Sequence, residues 1–131
     1  MGRSMAGHLL QAGHTLHVFN RTKAKAQPLL DAGAHWHDTA GAAAAQADFV
    51  FTIVGFPADV EETYFGPGGV IASAKRGAVL VDMTTSSPLL AKKIASAAAT
   101  KGLAALDAPV SGGDVGAGEA RLVIMVGGEE A

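Results

Sequence analysis

The sequence predicts an α/β protein whose doubly wound, mainly parallel sheet lacks its first strand and carries helices on both faces. Helical and strand patterns alternate along the 131 residues, which is the order that gives parallel strands joined by right-handed crossovers. The apolar runs at 48–54 and 78–83 are nearly continuous, as is typical of strands buried on both faces. The composition, 49% hydrophobic and 17% charged, agrees with this prediction.

Charge and composition exclude several classes of function. The formal net charge is −2 and the basic residues are scattered, so neither a nucleic-acid duplex nor a membrane surface is expected as a partner. Cysteine is absent, which excludes disulfides, thiolate catalysis and cysteine metal sites. No apolar run reaches the roughly 20 residues that span a bilayer. We therefore expect a single domain in a reducing, cytoplasmic compartment.

The first third of the chain alternates short helices and strands. Gly13 and Gly33 each follow a helical pattern and supply the left-handed stop expected at a helix end. Thr22 is placed to cap the second helix, and either Asp38 or Thr39 the third. The predicted elements are a helix at 1–12, a strand at 15–19, a helix at 23–32, a strand at 34–37 and a helix ending at Ala47.

The rest of the chain continues the alternation. Asp59 is placed to cap the helix after the first buried strand, and Pro88 stands at a first helical position. Gly77 and Gly102 mark the ends of helices. The predicted elements are a strand at 48–54, helices at 60–65 and 70–74, a strand at 78–83, a helix at 89–101, and strands at 103–106 and 121–126.

The segment 107–117 has the composition of an anion pocket. Pro109 fixes its own φ, so the preceding strand must leave its sheet here. Gly112, Gly113 and Gly116 allow open backbone angles that let N–H groups converge on a carboxylate or phosphate, and Ser111 adds a donor. The alternative is an ordinary Pro/Gly-rich connection.

Polar segments follow four of the predicted strands. Ligands of doubly wound sheets lie beyond the carboxyl ends of the strands, so these segments should share one edge. They are 20–22, 56–57, 84–85 and 111–113.

The start of the chain matches the tail of a glycine-rich dinucleotide fingerprint. Such a fingerprint, Gly-x-Gly-x-x-Gly, joins the first strand to the first helix. If Met1 and Gly2 are its last two positions, Gly2 is the third glycine, which permits close packing of helix on strand. About ten residues of strand and loop are then lacking.

Four segments together resemble the β-hydroxyacid dehydrogenase family, which includes 3-hydroxyisobutyrate dehydrogenase and glyoxylate/succinic semialdehyde reductase, with 6-phosphogluconate dehydrogenase as a relative. The similarity covers the whole chain. It implies a Rossmann dinucleotide-binding domain over 1–131, incomplete at its N-terminus, with the C-terminal helical domain absent. The segments that carry it are 1–6, 17–22, 82–85 and 107–113.

The resemblance also implies which residues form the site. Ser111, Gly112 and Gly113 would bind the substrate carboxylate, and Thr85 would lie near the nicotinamide. The cofactor-binding residues so implied are Met1, Gly2, Asn20, Arg21, Thr22, Phe56, Pro57 and Thr85.

The family's catalytic lysine has no counterpart in this chain. The resemblance places it on a helix beyond Ala131, so no catalytic residue is expected here and the fragment alone should be inactive. Lys92, Lys93 and Lys101 share a predicted helix and are most simply surface charges.

The residues after the predicted strand at 15–19, which is the second strand of the complete fold, decide between NAD and NADP. An acidic residue there holds a ribose hydroxyl, whereas an arginine accommodates a 2′-phosphate. Arg21 offers a planar fork, with Asn20 and Thr22 as neutral donors. We therefore expect NADP, with NAD as the second candidate; the alternative is that Arg21 is a solvated loop cation.

The histidines and aspartates have simpler explanations. His35 and His37 alternate on a strand without other ligands at metal spacing, so no metal is expected. Asp48, Asp82 and Asp107 flank strands and are read as cap or turn residues, Asp107 also as a neighbour of the substrate pocket.

The resemblance implies hydride transfer between NADP(H) and a small 3-hydroxy acid or semialdehyde. The expected partner is a small carboxylate substrate, and the full-length protein is expected to be a homo-oligomer. One alternative is a non-catalytic dinucleotide-binding module or decayed fragment. Another is an imine reductase, against which the intact segment 109–113 stands.

Overall fold

The computed structural model describes residues 1–128, so the last three residues of the predicted domain lie outside the described part. Helices and strands alternate as predicted. Their order is α1 (Gly2–Gln11), β1 (His17–Val18), a 3₁₀ helix (Lys23–Ala26), α2 (Gln27–Asp31), β2 (His35–Trp36), α3 (Ala40–Ala45), β3 (Phe49–Thr52), α4 (Pro57–Phe65), α5 (Val70–Ser73), β4 (Val79–Asp82), α6 (Pro88–Thr100), β5 (Ala104–Asp107), β6 (Val110–Ser111), α7 (Gly113–Gly118) and β7 (Val123–Ile124).

The strands form two parallel sheets and one antiparallel pair. The larger sheet has the order β3-β4-β5, with Thr52, Asp82 and Asp107 aligned in neighbouring strands. β1 pairs with β2 in parallel, and β6 with β7 antiparallel. Within residues 1–128 no ladder joins β1 to β3. The parallel pairing and the intervening helices confirm the predicted α/β class.

The main core lies between the larger sheet and the helices α3 to α6. It forms because Leu80 on β4 faces apolar side chains of α4, α5 and α6. Four of its side chains are almost completely buried: Val60, Tyr64, Val70 and Leu80. A second, smaller cluster joins Val81, Met83 and Ala108, with Met5 of α1 and Ile53 packed against it.

The prediction that 48–54 forms a strand buried on both faces is wrong for one face. Phe49 and Phe51 are 60% and 49% exposed, whereas Val50 and Thr52 point into the core side. The physical reason is that the core packs on the side of Val50, and neither buried cluster of the described residues includes Phe49 or Phe51, so the phenylalanine face lacks cover.

Three predicted boundaries also differ. The helix expected at 60–65 begins at Pro57, because proline is favoured in a first turn, and Asp59 lies inside it rather than at its N-cap. The helix expected at 23–32 is a 3₁₀ turn followed by α2, and Thr22 precedes it without a side-chain capping bond. The segment 107–117 contains β6 and the start of α7 rather than only a loop.

Helix α1 lies on the surface with no residue fully buried. In α1, the imidazole Nε2 of His8 lies 2.8 Å from the carbonyl oxygen of Ala117, and this hydrogen bond ties α1 to α7. No helix within residues 1–128 is long and apolar enough to cross a membrane.

Candidate functional site

The carboxyl ends of β3, β4 and β5 are held together by a buried polar network. The Thr52 hydroxyl donates to Asp82 Oδ1 at 3.1 Å, and the Tyr64 hydroxyl lies 2.8 Å from Thr52 Oγ1. Burial raises the pKa of Tyr64, so its hydroxyl keeps its proton and donates. The backbone N–H of Thr84 donates to Asp82 at 3.0 Å. This edge of the sheet is therefore a fixed platform.

The loops after these strands are tied to one another. The N–H of Val54 donates to Thr84 Oγ1 at 3.0 Å, and the N–H of Ala108 donates to the carbonyl of Asp82 at 2.7 Å. Phe56, 72% exposed, and Thr85 follow directly, so both present their side chains to solvent at this edge.

The start of α1 packs directly on the end of β3. A Cβ added to Gly2 would lie 2.9 Å from Ile53 Cγ2, closer than real Cβ contacts allow. Any larger residue at position 2 would require Ile53 to shift, so this close approach favours glycine. The hydrogen bond between His8 Nε2 and the carbonyl oxygen of Ala117 holds α1 against α7, which begins directly after the segment 111–112.

The segment 107–117 has the predicted open backbone only in part. Gly112 and Gly113 have φ values of +134° and +61°, which favour glycine. The expectation for Gly116 is wrong, because it lies inside α7 and its N–H donates to the carbonyl of Gly112 at 3.0 Å. Ser111 is exposed on β6. Within this segment the positive φ values are thus confined to Gly112 and Gly113.

The polar segment after β1 is shaped by two contacts. Asn20 donates through Nδ2 to the carbonyl of Thr22 at 2.8 Å, which uses this side chain to hold the turn. Arg21 donates through Nη2 to Asp59 Oδ1 at 2.7 Å. The hydrogen bond raises the pKa of Arg21 and lowers that of Asp59. The other oxygen of Asp59 accepts the N–H of Phe56 at 2.9 Å.

These contacts bring the predicted site residues to one edge. Arg21 reaches α4, and α1 contacts both the end of β3 and α7. The loops after β3, β4 and β5 are bonded in series. Asp59 and Thr84 were missed as site residues by the sequence analysis. Thr84 had a signal, its place beside Thr85 after a buried strand, whereas the partnership of Asp59 with a residue 38 positions away had none.

The lysines of α6 have different surroundings. Lys93 pairs with Glu61 and lies over the ring of Phe65, 4.7 Å from its centroid. Lys92 lines a shallow cavity of about 230 Å³ that Asp82 and Asp107 also border. Burial, and then the charge of Asp82, raises the pKa of Asp107.

The histidines of β1 and β2 form a small cluster. His17 Nδ1 lies 2.9 Å from His37 Nε2, and the ring of His35 stacks on that of His17 at 5.2 Å. Burial and the neighbouring imidazoles lower the pKa of His17. In the part of the chain that the structure covers, no group of three or more ligand side chains could hold a metal.

Comparison with known proteins finds relatives over the whole chain. A family model described as the NAD binding domain of 6-phosphogluconate dehydrogenase matches residues 1–131. An uncharacterised oxidoreductase of Bacillus subtilis, YkwC, is 58% identical over 99% of this chain and 45% of its own length. A probable mitochondrial 3-hydroxyisobutyrate dehydrogenase-like protein of Arabidopsis thaliana is 53% identical over 99% of this chain and 39% of its own. The chain thus spans less than half the length of these relatives.

Solved structures give the same picture. Psf3 in complex with NADP+ and 2-OPP superposes with a TM-score of 0.91 at 32% identity, over 98% of this chain and 46% of Psf3. Mycobacterium tuberculosis 3-hydroxyisobutyrate dehydrogenase with L-serine superposes with a TM-score of 0.91 at 35% identity, over 99% of this chain and 44% of that protein. An imine reductase of Myxococcus stipitatus with NADP+ superposes with a TM-score of 0.76 at 33% identity, over 86% of this chain and 38% of the reductase. The doubly wound dehydrogenase fold predicted from the sequence is confirmed.

Proposed function

The chain belongs to the family of the NAD binding domain of 6-phosphogluconate dehydrogenase, and from this premise we propose that it binds NADP(H) for an oxidoreductase of the β-hydroxyacid dehydrogenase type. The reaction is hydride transfer between the dinucleotide and a small 3-hydroxy acid or semialdehyde. Residues 1–131 are the dinucleotide-binding domain, and a helical domain completes the enzyme.

The close approach of Gly2 to Ile53 is the observation that carries the proposal. It sets the N-terminus of α1 against the end of β3, where backbone N–H groups and the helix dipole favour an anion. Arg21 follows β1 and bonds to Asp59, which also holds the N–H of Phe56 after β3, so Arg21 adds a cation to the same edge. The residues present therefore fit a dinucleotide whose pyrophosphate and 2′-phosphate are both negatively charged.

Each predicted cofactor residue has a role in this arrangement. Met1 and Gly2 admit the pyrophosphate, and Arg21, with Asn20 and Thr22 beside it, receives the 2′-phosphate. Phe56 and Pro57 line the cofactor site. Thr85 helps place the nicotinamide. When bound, the cofactor supplies or accepts the hydride.

The substrate is held by the segment that follows β5. The open amides of Gly112 and Gly113, with the Ser111 hydroxyl, bind a carboxylate. The resemblance places the proton-donating lysine beyond Ala131, so this chain binds and orients while the remainder of the enzyme, a cytoplasmic homo-oligomer, completes the reaction. The solved relative with L-serine, a small carboxylate, supports this substrate class.

The test is a titration of the protein with NADPH and with NADH. A charge-assisted hydrogen bond contributes about 1.5–3 kcal/mol, so Arg21→Ala should weaken NADPH by roughly 10- to 150-fold and NADH much less. Lys25→Ala removes a nearby exposed cation and serves as the control. Equal losses of both dinucleotides in Arg21→Ala would contradict the preference for NADP.

An imine reductase is the second candidate, favoured by the solved structure with NADP+. The two are separated by the carboxylate segment. In the hydroxyacid enzyme, Ser111→Ala should raise the KM for a carboxylate substrate in the full-length protein, whereas reduction of a neutral imine would be unaffected by the loss of this donor.

A further inference from the structure

The ion pair between Arg21 and Asp59 is built asymmetrically. The side chain of Asp59 is 22% exposed and that of Arg21 75%. Asp59 is also fixed by its second oxygen, which accepts the N–H of Phe56 at 2.9 Å. The carboxylate is therefore the anchored member, and the guanidinium is the member that is free to move.

This pair concerns the same arginine that is proposed to receive the 2′-phosphate. Asp59 Oδ1 already accepts from Arg21 Nη2 at 2.7 Å, so a phosphate must either share the guanidinium or draw it away. A phosphate monoester carries about 1.5 to 2 negative charges at neutral pH and is repelled by a carboxylate at this distance from its binding group. The carboxylate thus opposes the phosphate twice, by occupying the donor and by its own charge.

We propose that Asp59 is a specificity-determining residue, which limits the preference for NADP over NAD by competing with the 2′-phosphate for Arg21. The inference rests on the proposed function, because it takes the dinucleotide as the ligand. NADH has a hydroxyl in place of the phosphate and leaves the pair intact. The selectivity of this site is therefore a property of the pair and not of the arginine alone.

The substitution Asp59→Asn separates the charge of Asp59 from its structural contact. The amide oxygen of asparagine still accepts the N–H of Phe56, so the start of α4 is retained. Asp59→Ser, which also keeps an oxygen acceptor without a charge, is the second variant if the first folds poorly. Glu62→Gln is the matched control, since it removes the same charge from α4, where Glu62 acts on Arg21 only at a distance.

The experiment measures Kd for NADPH and NADH by titration of the full-length wild-type protein and its variants. We expect Asp59→Asn to raise the ratio of Kd(NADH) to Kd(NADPH) about three- to tenfold, almost entirely through tighter NADPH. Glu62→Gln should change the ratio less than about twofold. In the background Arg21→Ala, Asp59→Asn should lose most of its effect, because the competition acts through the arginine.

The outcomes distinguish the inference from the proposed function. If Asp59→Asn leaves the ratio unchanged or lowers it while both dinucleotides still bind, the inference is wrong and the proposed function stands. The inference also fails if Glu62→Gln raises the ratio as much, since the effect would then be one of net charge. If wild type binds neither dinucleotide, the proposed function and the inference are both overturned.

Discussion

The two parallel sheets of the molecule are packed to very different extents. The larger sheet is covered by α3 to α6, and its central side chain Leu80 is only 1% exposed. Beside β1 and β2, the 3₁₀ helix and α2 bury fully only Ala26 and Leu29 among the described residues, and α1 buries none. The half that holds the fold together is thus distinct from the half that presents Arg21. Around Arg21, few packed contacts oppose a small movement.

The largest loss of stability should come from removing a buried side chain beside the larger sheet. Leu80→Ala removes a fully buried side chain and should lower the free energy of unfolding by about 2–5 kcal/mol. The matched change Leu10→Ala in α1, where the side chain is half-buried, should cost about 1 kcal/mol or less. Urea denaturation of both variants measures the difference. Similar losses would show that the two halves contribute equally.

The next largest change in stability should come from substituting alanine for glycine in α3, compared with the same substitution in α1. A Cβ at Gly41 of α3 would lie 2.5 Å from Ser73 Oγ and 2.7 Å from the carbonyl of Gly68, so Gly41→Ala should cost about 1–3 kcal/mol. At Gly7 of α1 the nearest atom, in Leu29, is 3.9 Å away. Gly7→Ala should therefore be neutral or stabilising by up to about 1 kcal/mol, through helix propensity. Thermal unfolding of the two variants should show shifts in Tm of opposite sign.

The smallest effect is a pH dependence that differs between two carboxylates. Burial raises the pKa of Asp107 in the folded protein, so its favourable contribution is fully present below its unfolded pKa and is lost as the pH rises through the folded pKa. Asp107→Asn should therefore stabilise the protein near neutral pH and lose this advantage in acid. Urea midpoints between pH 3 and pH 7 measure it.

Asp59 should behave in the opposite way. Its pKa is lowered by Arg21, so its contribution is present above its unfolded pKa and is lost as the pH falls through the folded pKa. In the same pH series, Asp59→Asn should unfold at a lower urea midpoint than wild type, and this difference should be greatest near neutral pH. The same sign for both variants would contradict the assignment of causes.

The class of the fold followed from the sequence because local patterns determine it. Alternating elements, the glycine stops and the proline at the start of α6 are all properties of short windows. The exposure of Phe49 and Phe51 could not be predicted in this way. Their apolar character fixes a strand, but only the neighbours of that strand decide how many of its faces are covered.

In the candidate site, too, local features could be predicted from the sequence, whereas contacts between distant segments could not. The positive φ of Gly112 and Gly113 was predictable, since glycine next to a proline-terminated strand indicates an open backbone. Gly116 has the same residue type but lies in a helix, and only the fold distinguishes the two cases. The pairing of Arg21 with Asp59 joins loops 38 residues apart, which no sequence window contains.

The strands differ in how they are paired: β1 and β2 pair only with each other among the described residues, whereas β4 has a partner on each side. The backbone amides of His35 and His37 are bonded only across the small sheet, to Leu16 and Val18. Their hydrogen exchange can therefore proceed by local opening of that sheet, while the amides of β4, paired on both sides, must await unfolding of the whole domain. The side chain of Arg21, which follows β1 and bonds to Asp59 on α4, therefore links the strand pair that opens more readily to the packed core.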